Sequence, residues 1–314
     1  MMHIALIAKP WRGGLADYVH AALRDIAGPE QVTYLPVRPV QLRDSWGRVA
    51  KRHWYDRLYR HLETTPYDMV LFLQPTGLMQ AIADSHKKVC WLVDGARIDP
   101  QLAAGVGHLF LSDPGNMDVL KTRAPAHHIA GILPFAMAPH IHCPGPASCT
   151  ADRAMGFIAN HDPKRDAWLE SMFAAGLDCH VHGNYFLSHP LFRRHPLRIH
   201  PAVPVAAMQA LYARYRLSLN IHAAIVQGGT NMRTFEAAGY GVPQLVEHLP
   251  GIDQLFDPDT EIATFRTIEE LTAQQQRLLA NPAAATRMAA NARVRVLAEH
   301  TYHHRMQTIL ARFR

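Results

Sequence analysis

The sequence predicts an α/β protein built from two Rossmann-like domains that face a central cleft. Short apolar runs alternate with amphipathic segments in both halves of the chain, a pattern typical of a mostly parallel sheet covered by helices on both faces. Residues 133–150, rich in proline and small side chains, interrupt this alternation. The length of 314 residues is sufficient for two domains.

The first half contains five short apolar runs that are bounded by turn residues and predicted to be strands. They lie at residues 3–9, 31–36, 68–74, 88–93 and 107–111. Two segments, 15–26 and 43–63, have helical spacing. In the second of these, large side chains recur every fourth residue: Trp46, Ala50, Trp54, Leu58 and Leu62.

The second half continues the same alternation. Strands are predicted at 154–159, 178–182, 217–221 and 244–246, and helices at 164–175 and 206–215. Thr267 and Glu270 have the spacing of a capping box and start a further helix, which ends near Asn281 and Pro282. The remaining tail reads as largely helical. The predicted division is an N-terminal domain at 1–140, a linker at 141–152, a C-terminal domain at 153–300 and a last helix at 301–314.

Composition narrows the classes of function. A formal net charge of +6 and a pI near 9.2 favour anionic partners such as nucleotides, phosphates, anionic lipid or nucleic acid. Four cysteines in a chain of this length do not form a disulfide framework, so we expect a reducing, cytoplasmic location. The N-terminal apolar run is too short for a signal peptide, and no stretch is long enough to be a membrane span.

The stretch GGTNMRTFEAAGYGVP, residues 228–243, predicts a glycine loop that leads into a short helix. The first amides of a helix have no internal partner and carry the positive end of its dipole, so a diphosphate fits there. Arg233 could add a charged contact, and Glu236, one turn on, could accept hydrogen bonds from the hydroxyls of a ribose. The alternative is an ordinary glycine-started helix with a solvated Arg–Glu pair.

A second glycine turn, Gly13-Gly14, follows the first predicted strand and could also bring backbone amides close to a ligand. The G-x-G-x-x-G spacing is absent, which argues against a nicotinamide or flavin enzyme. A plain tight turn is the competing interpretation of this pair.

Two further features allow competing interpretations. His140, His142, Cys143 and Cys149 do not have a standard zinc spacing, so we predict a linker there and no metal site. The helix at 43–63 is basic and aromatic, and could contact a membrane surface or nucleic acid. We favour the simpler interpretation, in which its charges face solvent and its aromatic side chains face the core.

The second half also resembles a known family, in both the order and the spacing of its motifs. The matching segments are LSLNIH (217–222), GGTNMRTFEAAGYGVPQLVE (228–247), LPGIDQLFDPDTEI (249–262), FRTIEEL (265–271) and AEHTYHHR (298–305). They resemble the C-terminal domain of the spore-maturation-protein type of glycosyltransferase, itself similar to GT-B enzymes. Looser similarity covers most of the first half.

The resemblance implies a GT-B hexosyltransferase-type enzyme whose second domain holds a nucleotide-sugar co-substrate, with no other cofactor and no metal. It places the diphosphate at the amides of Gly229, Thr230, Asn231 and Met232, and the ribose at Glu236. It also places Arg165 near the phosphates and Gly183-Asn184 near the base, and it implies that the last helix, at 301–314, crosses back to the first domain. Many retaining relatives carry a second glutamate eight positions earlier, where this chain has Gly228. The stereochemistry of transfer is therefore left open.

A general base would serve transfer with inversion, and Asp94, which follows an apolar strand, is the first candidate. Asp17 and His20, after the Gly13-Gly14 turn, are the alternatives, and Asp94 could instead simply cap its turn. The leading hypothesis is thus a glycosyltransferase whose acceptor is bound by the first domain. The competing hypotheses are a catalytically silent nucleotide-sugar binder and a nucleic-acid-binding protein.

Overall fold

A computed structural model describes residues 2–10, 13–37, 45–74, 77–93, 105–118, 120, 129–145 and 151–313. The chain forms two compact units, Met1–Pro134 with Tyr302–Arg314, and Phe135–Thr301. We call them unit 1 and unit 2. Each contains a parallel six-stranded sheet with helices, so the predicted pair of Rossmann-like α/β domains is confirmed.

Unit 1 places its sheet strands in the order β2-β1-β3-β4-β5-β6. The elements are β1 (Ile4–Ala8), α1 (Leu15–Ala27), β2 (Val32–Pro36), α2 (Ser45–Thr64), β3 (Met69–Leu73), β4 (Lys88–Leu92), β5 (His108–Leu111) and β6 (Ile129–Ile132). Strands β1, β3 and β4 are buried along their whole length because helices cover both faces of a parallel sheet.

Unit 2 has the strand order β12-β11-β10-β7-β8-β9. Its elements are β7 (Arg153–Ile158), α3 (Pro163–Ala174), β8 (His180–Gly183), α4 (Pro190–Arg194), β9 (Ile199–Pro201), α5 (Val205–Tyr212), β10 (Tyr215–Asn220), α6 (Met232–Tyr240), β11 (Gln244–Glu247), β12 (Ala263–Phe265), α7 (Ile268–Ala280) and α8 (Pro282–Glu299). The sheet begins at β7 and extends first to one side and then to the other. The strand order therefore reverses between β7 and β10, at a topological switch point.

The last helix, α9 (Tyr302–Leu310), belongs to unit 1. The ring of Tyr302 lies 5.4 Å from that of Tyr18 on α1, and the Arg305 Nε donates to the carbonyl of Pro134 at 2.7 Å. Burial lowers the pKa of Arg305 to about 10. The chain thus ends in the unit in which it begins.

The division between the units falls at Pro134, ahead of the predicted linker at 141–152. Residues directly after Pro134 already belong to unit 2, because Met137 donates its amide to the carbonyl of His300 at 2.9 Å and is fully buried. Phe135 packs against the same apolar cluster as Met137, which includes Phe235 and Val296. The proline-rich composition of residues 133–150 indicated a break in the alternation of strands and helices. The residues just after Pro134 nevertheless belong to the core of unit 2.

Helix α2 follows the simpler of the two interpretations from His53 onward. Leu58 and Leu62 are buried in the unit 1 core, and Trp54, Tyr55 and Tyr59 pack against it. The charged side chains of this part, Asp56, Arg57 and Arg60, are exposed. None of the helices in the described ranges is long and apolar enough to cross a membrane.

Candidate functional site

The switch point of unit 2 brings the carboxyl ends of β7 and β10 side by side. In open α/β sheets ligands bind at this place, beyond the strand ends. Arg165, on the first turn of α3, spans the two ends. Its Nε donates to the carbonyl of Ile221 at 2.9 Å and its Nη1 donates to the carbonyl of Asn160 at 3.1 Å. A partly buried positive charge is therefore held at the switch point by the backbone itself.

Helix α6 begins at the same edge and is fixed to β10 by a pair of amide side chains. Asn231 caps the helix, with its Oδ1 accepting from the amide of Arg233 at 3.0 Å. Asn231 and Asn220 also exchange two side-chain hydrogen bonds, of 3.0 and 2.9 Å. There is no acidic residue in the first turn of α6. The positive end of this helix is thus held in place, and the first turn of the helix itself supplies no carboxylate to neutralise it.

A buried chain of hydrogen bonds supports the loop before α6. Thr230 is 2% exposed, and its Oγ1 lies 2.6 Å from the Thr234 Oγ1 and 2.9 Å from the His222 Nε2. The Asn220 Nδ2 donates to the Thr234 hydroxyl at 2.7 Å. Connected polar groups of this kind rigidify a site, and the other ring nitrogen of His222, Nδ1, lies 3.4 Å from the Glu247 Oε2. We call Asn220, His222, Thr230, Asn231, Thr234 and Glu247 the switch-point network.

Glu247, at the end of β11, completes this network and balances part of its charge. Its Oε2 accepts from the His222 amide at 2.9 Å, and its Oε1 pairs with the Lys164 Nζ at 2.6 Å. Burial acts to raise the pKa of Glu247, but the hydrogen bonds from His222 and Lys164 outweigh it and hold this pKa below its usual value. The carboxylate is therefore charged and satisfied within the protein.

The structure brings Arg233 and Glu236 together, as their spacing on one helix predicts. Glu236 is only 2% exposed, its Oε2 pairs with the Arg233 Nη1, and its Oε1 lies 3.5 Å from the His142 Nε2. Burial lowers the pKa of His142, against the opposing effect of the Glu236 carboxylate. In this state Arg233 covers the carboxylate that we predict to bind a ribose, so the arginine must move before a ribose can reach it.

Gly183 and Asn184 lie at the end of β8, beside the end of β7. A Cβ at Gly183 would come within 1.9 Å of the carbonyl oxygen of Ala159, so only glycine fits there. Asn184 is exposed. Both residues thus share the sheet edge with Arg165, as a site for the base would require.

In unit 1, the glycine turn before α1 is occupied by its own side chains. The Asp17 Oδ2 accepts from the amide of Gly13 at 2.6 Å, and the Tyr18 hydroxyl donates to the carbonyl of Gly13 at 2.6 Å. Gly14 is the N-cap residue of helix α1, and no side chain caps the helix there. His20 is partly buried with its ring 5.4 Å from that of Tyr34, and burial, assisted by Arg24, lowers its pKa.

Asp94, the first candidate for a catalytic base, lies outside the described residues, as does Cys149. The neighbours of Cys149 in the predicted linker have separate roles. The His142 Nδ1 accepts from the amide of Ala138 at 2.9 Å, and the Gln209 Nε2 donates to the Cys143 Sγ at 3.2 Å. Within the described ranges, no cluster of metal-ligand type includes His140, His142 or Cys143.

Sequence reasoning missed several members of the site. Lys164, Asn220, His222, Thr234 and Glu247 were not singled out, although each stands at a strand end or on the first turns of the helix that follows. That position was a usable signal, because strand ends at a switch point face the ligand. The side-chain pairing among them depends on β10 and β11 being neighbours, which the sequence alone did not establish.

Comparison with known proteins agrees with this geometry. Residues 164–311 match a family model described as "Glycosyl transferase-like". That part of the chain is similar to glycosyl transferase-like domains. It contains Arg165, the loop before α6, and Glu247. A sequence search of curated proteins finds no significant match.

Solved structures resemble the whole chain. HepE from Anabaena, in complex with UDP and glucose, aligns with a TM-score of 0.72 at 13% identity over 99% of each chain. Sucrose-phosphate synthase from Thermosynechococcus elongatus gives 0.71 at 13% identity over 99% of this chain and 98% of the other. AviGT4, a glycosyltransferase involved in avilamycin A biosynthesis, gives 0.67 at 15% identity over 100% and 97%. This likeness shows that the fold is GT-B.

Proposed function

We propose that the protein is a glycosyltransferase that takes its sugar from a nucleoside diphosphate sugar bound at the switch point of unit 2. The start of α6 is the observation that carries the proposal. The first turn of α6 contains no acidic residue, and the hydrogen bonds between Asn220 and Asn231 fix the helix to β10. The Arg165 guanidinium lies at the same sheet edge. Such an arrangement suits a diphosphate.

The same groups would assist the chemistry. When the bond from sugar to diphosphate breaks, negative charge develops on the leaving phosphate. Positive groups already in place stabilise that charge at no cost of reorganisation. The α6 dipole, Arg165 and Arg233 would supply this stabilisation without a metal. Glu236 would bind the ribose once Arg233 turns toward the phosphates, and Gly183-Asn184 would lie beside the base.

The identity of the nucleotide is proposed from the comparisons. HepE has been solved with UDP and with UDP-glucose, and TarM has been solved with UDP. We therefore propose a uridine nucleotide and a hexose donor, with the acceptor bound by unit 1. The closer relation to the spore-maturation-protein type and the cytoplasmic location stay predictions.

Titration calorimetry with UDP, GDP, ADP and TDP tests the donor. We expect UDP to bind most tightly, and Arg165→Ala to weaken binding by about tenfold or more, since a charge-assisted hydrogen bond contributes about 1.5–3 kcal/mol. Arg214→Ala is the matched control, because Arg214 is an exposed arginine of the same unit that pairs with Asp152. If none of the four nucleotides binds, the proposal is wrong.

A catalytically silent binder is the second candidate, and Gly228 favours it, because many retaining relatives have a glutamate at that position. Incubating the protein with UDP-glucose and following release of UDP separates the two functions. Release that is lost in the Arg233→Ala variant supports an enzyme. Tight UDP binding with no release, over a panel of hexose donors and acceptors, supports the silent binder.

A further inference from the structure

Beyond the switch-point network, three side chains of unit 2 bring potential metal ligands together. The His161 Nδ1 lies 2.8 Å from the Asp166 Oδ2, the His189 Nε2 lies 3.4 Å from the same oxygen, and the two nitrogens are 3.1 Å apart. Within the described residues, no other group of three such side chains brings its ligand atoms this close. We call these residues the His–Asp–His cluster.

We propose that the His–Asp–His cluster binds a divalent transition metal, with Zn²⁺ as the best fit. Zn²⁺ binds imidazole nitrogen at about 2.0–2.1 Å and carboxylate oxygen at about 2.0–2.2 Å, so ligand atoms in a tetrahedral site lie about 3.4 Å apart. The three separations in the cluster reach from 2.8 to 3.4 Å, and side-chain movements of a few tenths of an ångström would complete the geometry. Two nitrogens and one oxygen also suit Zn²⁺ better than Mg²⁺ or Ca²⁺, which prefer oxygen ligands.

The positions of the three residues favour a defined site over a chance contact. Asp166 lies on α3, one residue after Arg165, and His161 lies in the turn between β7 and α3. His189 comes from a separate segment, as the residue that caps α4. The buried ring of Tyr185 packs edge-on against both imidazoles, at 6.1 Å from His161 and 5.1 Å from His189, and limits their rotation.

Exposure of the cluster allows an ion to enter. The His161 side chain is 44% exposed, Asp166 is 20% exposed and His189 is 16% exposed. Three protein ligands leave one of the four positions of Zn²⁺ for water or another ligand. The ion would add positive charge at the sheet edge that carries Arg165, and this site is separate from the groups that we assign to the diphosphate.

Without a metal, hydrogen bonds join the same three side chains. The His189 Nδ1 accepts from the amide of Leu191 at 3.3 Å, so in the neutral ring its Nε2 carries the proton and donates toward Asp166. Binding of Zn²⁺ through this nitrogen moves that proton to Nδ1, because a metal-bound neutral imidazole keeps one N–H, and the Leu191 amide loses its acceptor. The proposal therefore predicts that metal uptake changes the tautomer of His189 and removes the long cap of α4, which a purely hydrogen-bonded cluster would not do.

Competition with a chromophoric zinc indicator tests the proposal, using the full chain with no affinity tag and no nucleotide. We expect one tight equivalent of Zn²⁺ for the wild type. Loss of an outer-shell partner lowers metal affinity by about 10–100-fold. We expect His161→Ala, which removes a direct ligand, to lower the affinity for Zn²⁺ by more than this. Because His161 is exposed, this variant should fold normally, which thermal unfolding can verify. Asp166→Asn should behave in the same way.

His248→Ala is the matched control. His248 also pairs with a carboxylate, that of Asp253 at 3.1 Å, but it is not part of a group of three ligands. Its replacement should leave the affinity unchanged. If the wild type takes up no Zn²⁺, or if His161→Ala binds it as tightly as the wild type does, the proposal is wrong. Nucleotide titration of the same samples is a separate readout, so a failed metal site leaves the proposed donor site untouched.

Discussion

The two units contain similar parallel sheets, but they differ in the charge of the side chain that binds the glycine turn before a helix. In unit 1, the amide of Gly13 is bound by the Asp17 carboxylate at 2.6 Å, and α1 has no side-chain cap. In unit 2, the neutral amide of Asn231 caps α6, whose first turn contains no acidic residue. A helix start after glycines attracts an anion only when no carboxylate already occupies it. This difference is the reason that we propose a diphosphate site in unit 2 and not in unit 1.

The largest effect should come from adding a methyl group to one tightly packed glycine in each unit. Gly183 is the last residue of β8 in unit 2, and Gly107 directly precedes β5 in unit 1. A Cβ at Gly183 in unit 2 would lie 1.9 Å from the Ala159 oxygen, and one at Gly107 in unit 1 would lie 2.4 Å from the Ser85 oxygen. Both contacts are with backbone, so we expect Gly183→Ala and Gly107→Ala each to cost about 3 kcal/mol or more, the upper range for overpacking. Urea unfolding measures this cost.

Nucleotide affinity then separates the two glycine variants. Gly183→Ala should weaken UDP binding, whereas folded Gly107→Ala should bind UDP as the wild type does. Gly176→Ala is a control for general glycine effects, because it has open space around it and only a positive φ of 76°. Loss of UDP binding in folded Gly107→Ala would show that unit 1 also shapes the donor site.

The next effect concerns carboxylates that accept backbone amides. Glu247 is 7% exposed and bonds to His222 and Lys164, whereas Asp68 in unit 1 is exposed and accepts only from the His3 amide among the bonds described, at 2.7 Å. We expect Glu247→Ala to lower the free energy of unfolding by about 2–3 kcal/mol, because a buried amide and an ammonium lose their partner. Asp68→Ala should cost about 1 kcal/mol or less. Equal costs in urea unfolding would argue against a special role for the switch-point network.

Acid should affect unit 2 through a stack of histidines on β8 and β9. The ring of His182 stacks on that of His200 at 4.7 Å, and the His182 Nε2 lies 2.7 Å from the Tyr215 hydroxyl. Burial, together with the charges of His200 and His180, lowers the pKa of His182 to about 4. In the unfolded chain a histidine has a pKa near 6.5, so below that pH the unfolded state binds the proton first and stability falls.

From this shift we expect the protein to be about 1 kcal/mol less stable at pH 5 than at pH 7.5, since 1 pKa unit corresponds to about 1.4 kcal/mol and solvent screens part of the effect at a side chain that is only partly buried. Urea unfolding at a series of pH values measures the slope. His182→Gln, which keeps a hydrogen-bonding partner for Tyr215, should flatten it, and His248→Gln should not. Hydrogen exchange should show the loss in β8 and β9 before β1 and β3. A slope that is the same in all three proteins would contradict the assignment to His182.

Much of the fold could be predicted from the sequence, because the spacing of apolar residues within a long segment indicates its secondary structure with little need for contacts to distant segments. The helix predicted at 43–63 is observed as Ser45–Thr64, and Thr267 accepts from the Glu270 amide at 3.2 Å, as the capping box requires. The short elements β6, β9, β12 and α4 were missed. Strand β9 is three residues long, includes Pro201 and pairs only with β8, so the sheet rather than its own sequence makes it a strand.

The candidate site was predictable where one short segment forms it, as in the loop and first turn of α6. Partners from distant segments were not predictable. His142 was interpreted as a linker residue, yet it is buried 3.5 Å from Glu236 because residues after Pro134 fold into unit 2. His161 stands in a turn, where no spacing pattern in the sequence indicates its partners. Its partner His189 caps a helix of five residues that no periodicity indicated.

The smallest effect should come from Asp17→Asn, which removes the charge from the unit 1 turn but can still accept from the Gly13 amide. We expect a change in the free energy of unfolding within about 1 kcal/mol, the usual value of a single hydrogen bond. UDP affinity should not change if the diphosphate binds at α6, as we propose. Asn231→Asp is the matched change in unit 2, since it keeps the cap but puts a carboxylate at the helix start. It should weaken UDP binding by about tenfold, through repulsion of the diphosphate at close range.

If Asp17→Asn raised UDP affinity while Asn231→Asp left it unchanged, the two glycine turns would have exchanged roles. The donor would then belong to unit 1, and the glycines at 13 and 14 would be its phosphate site.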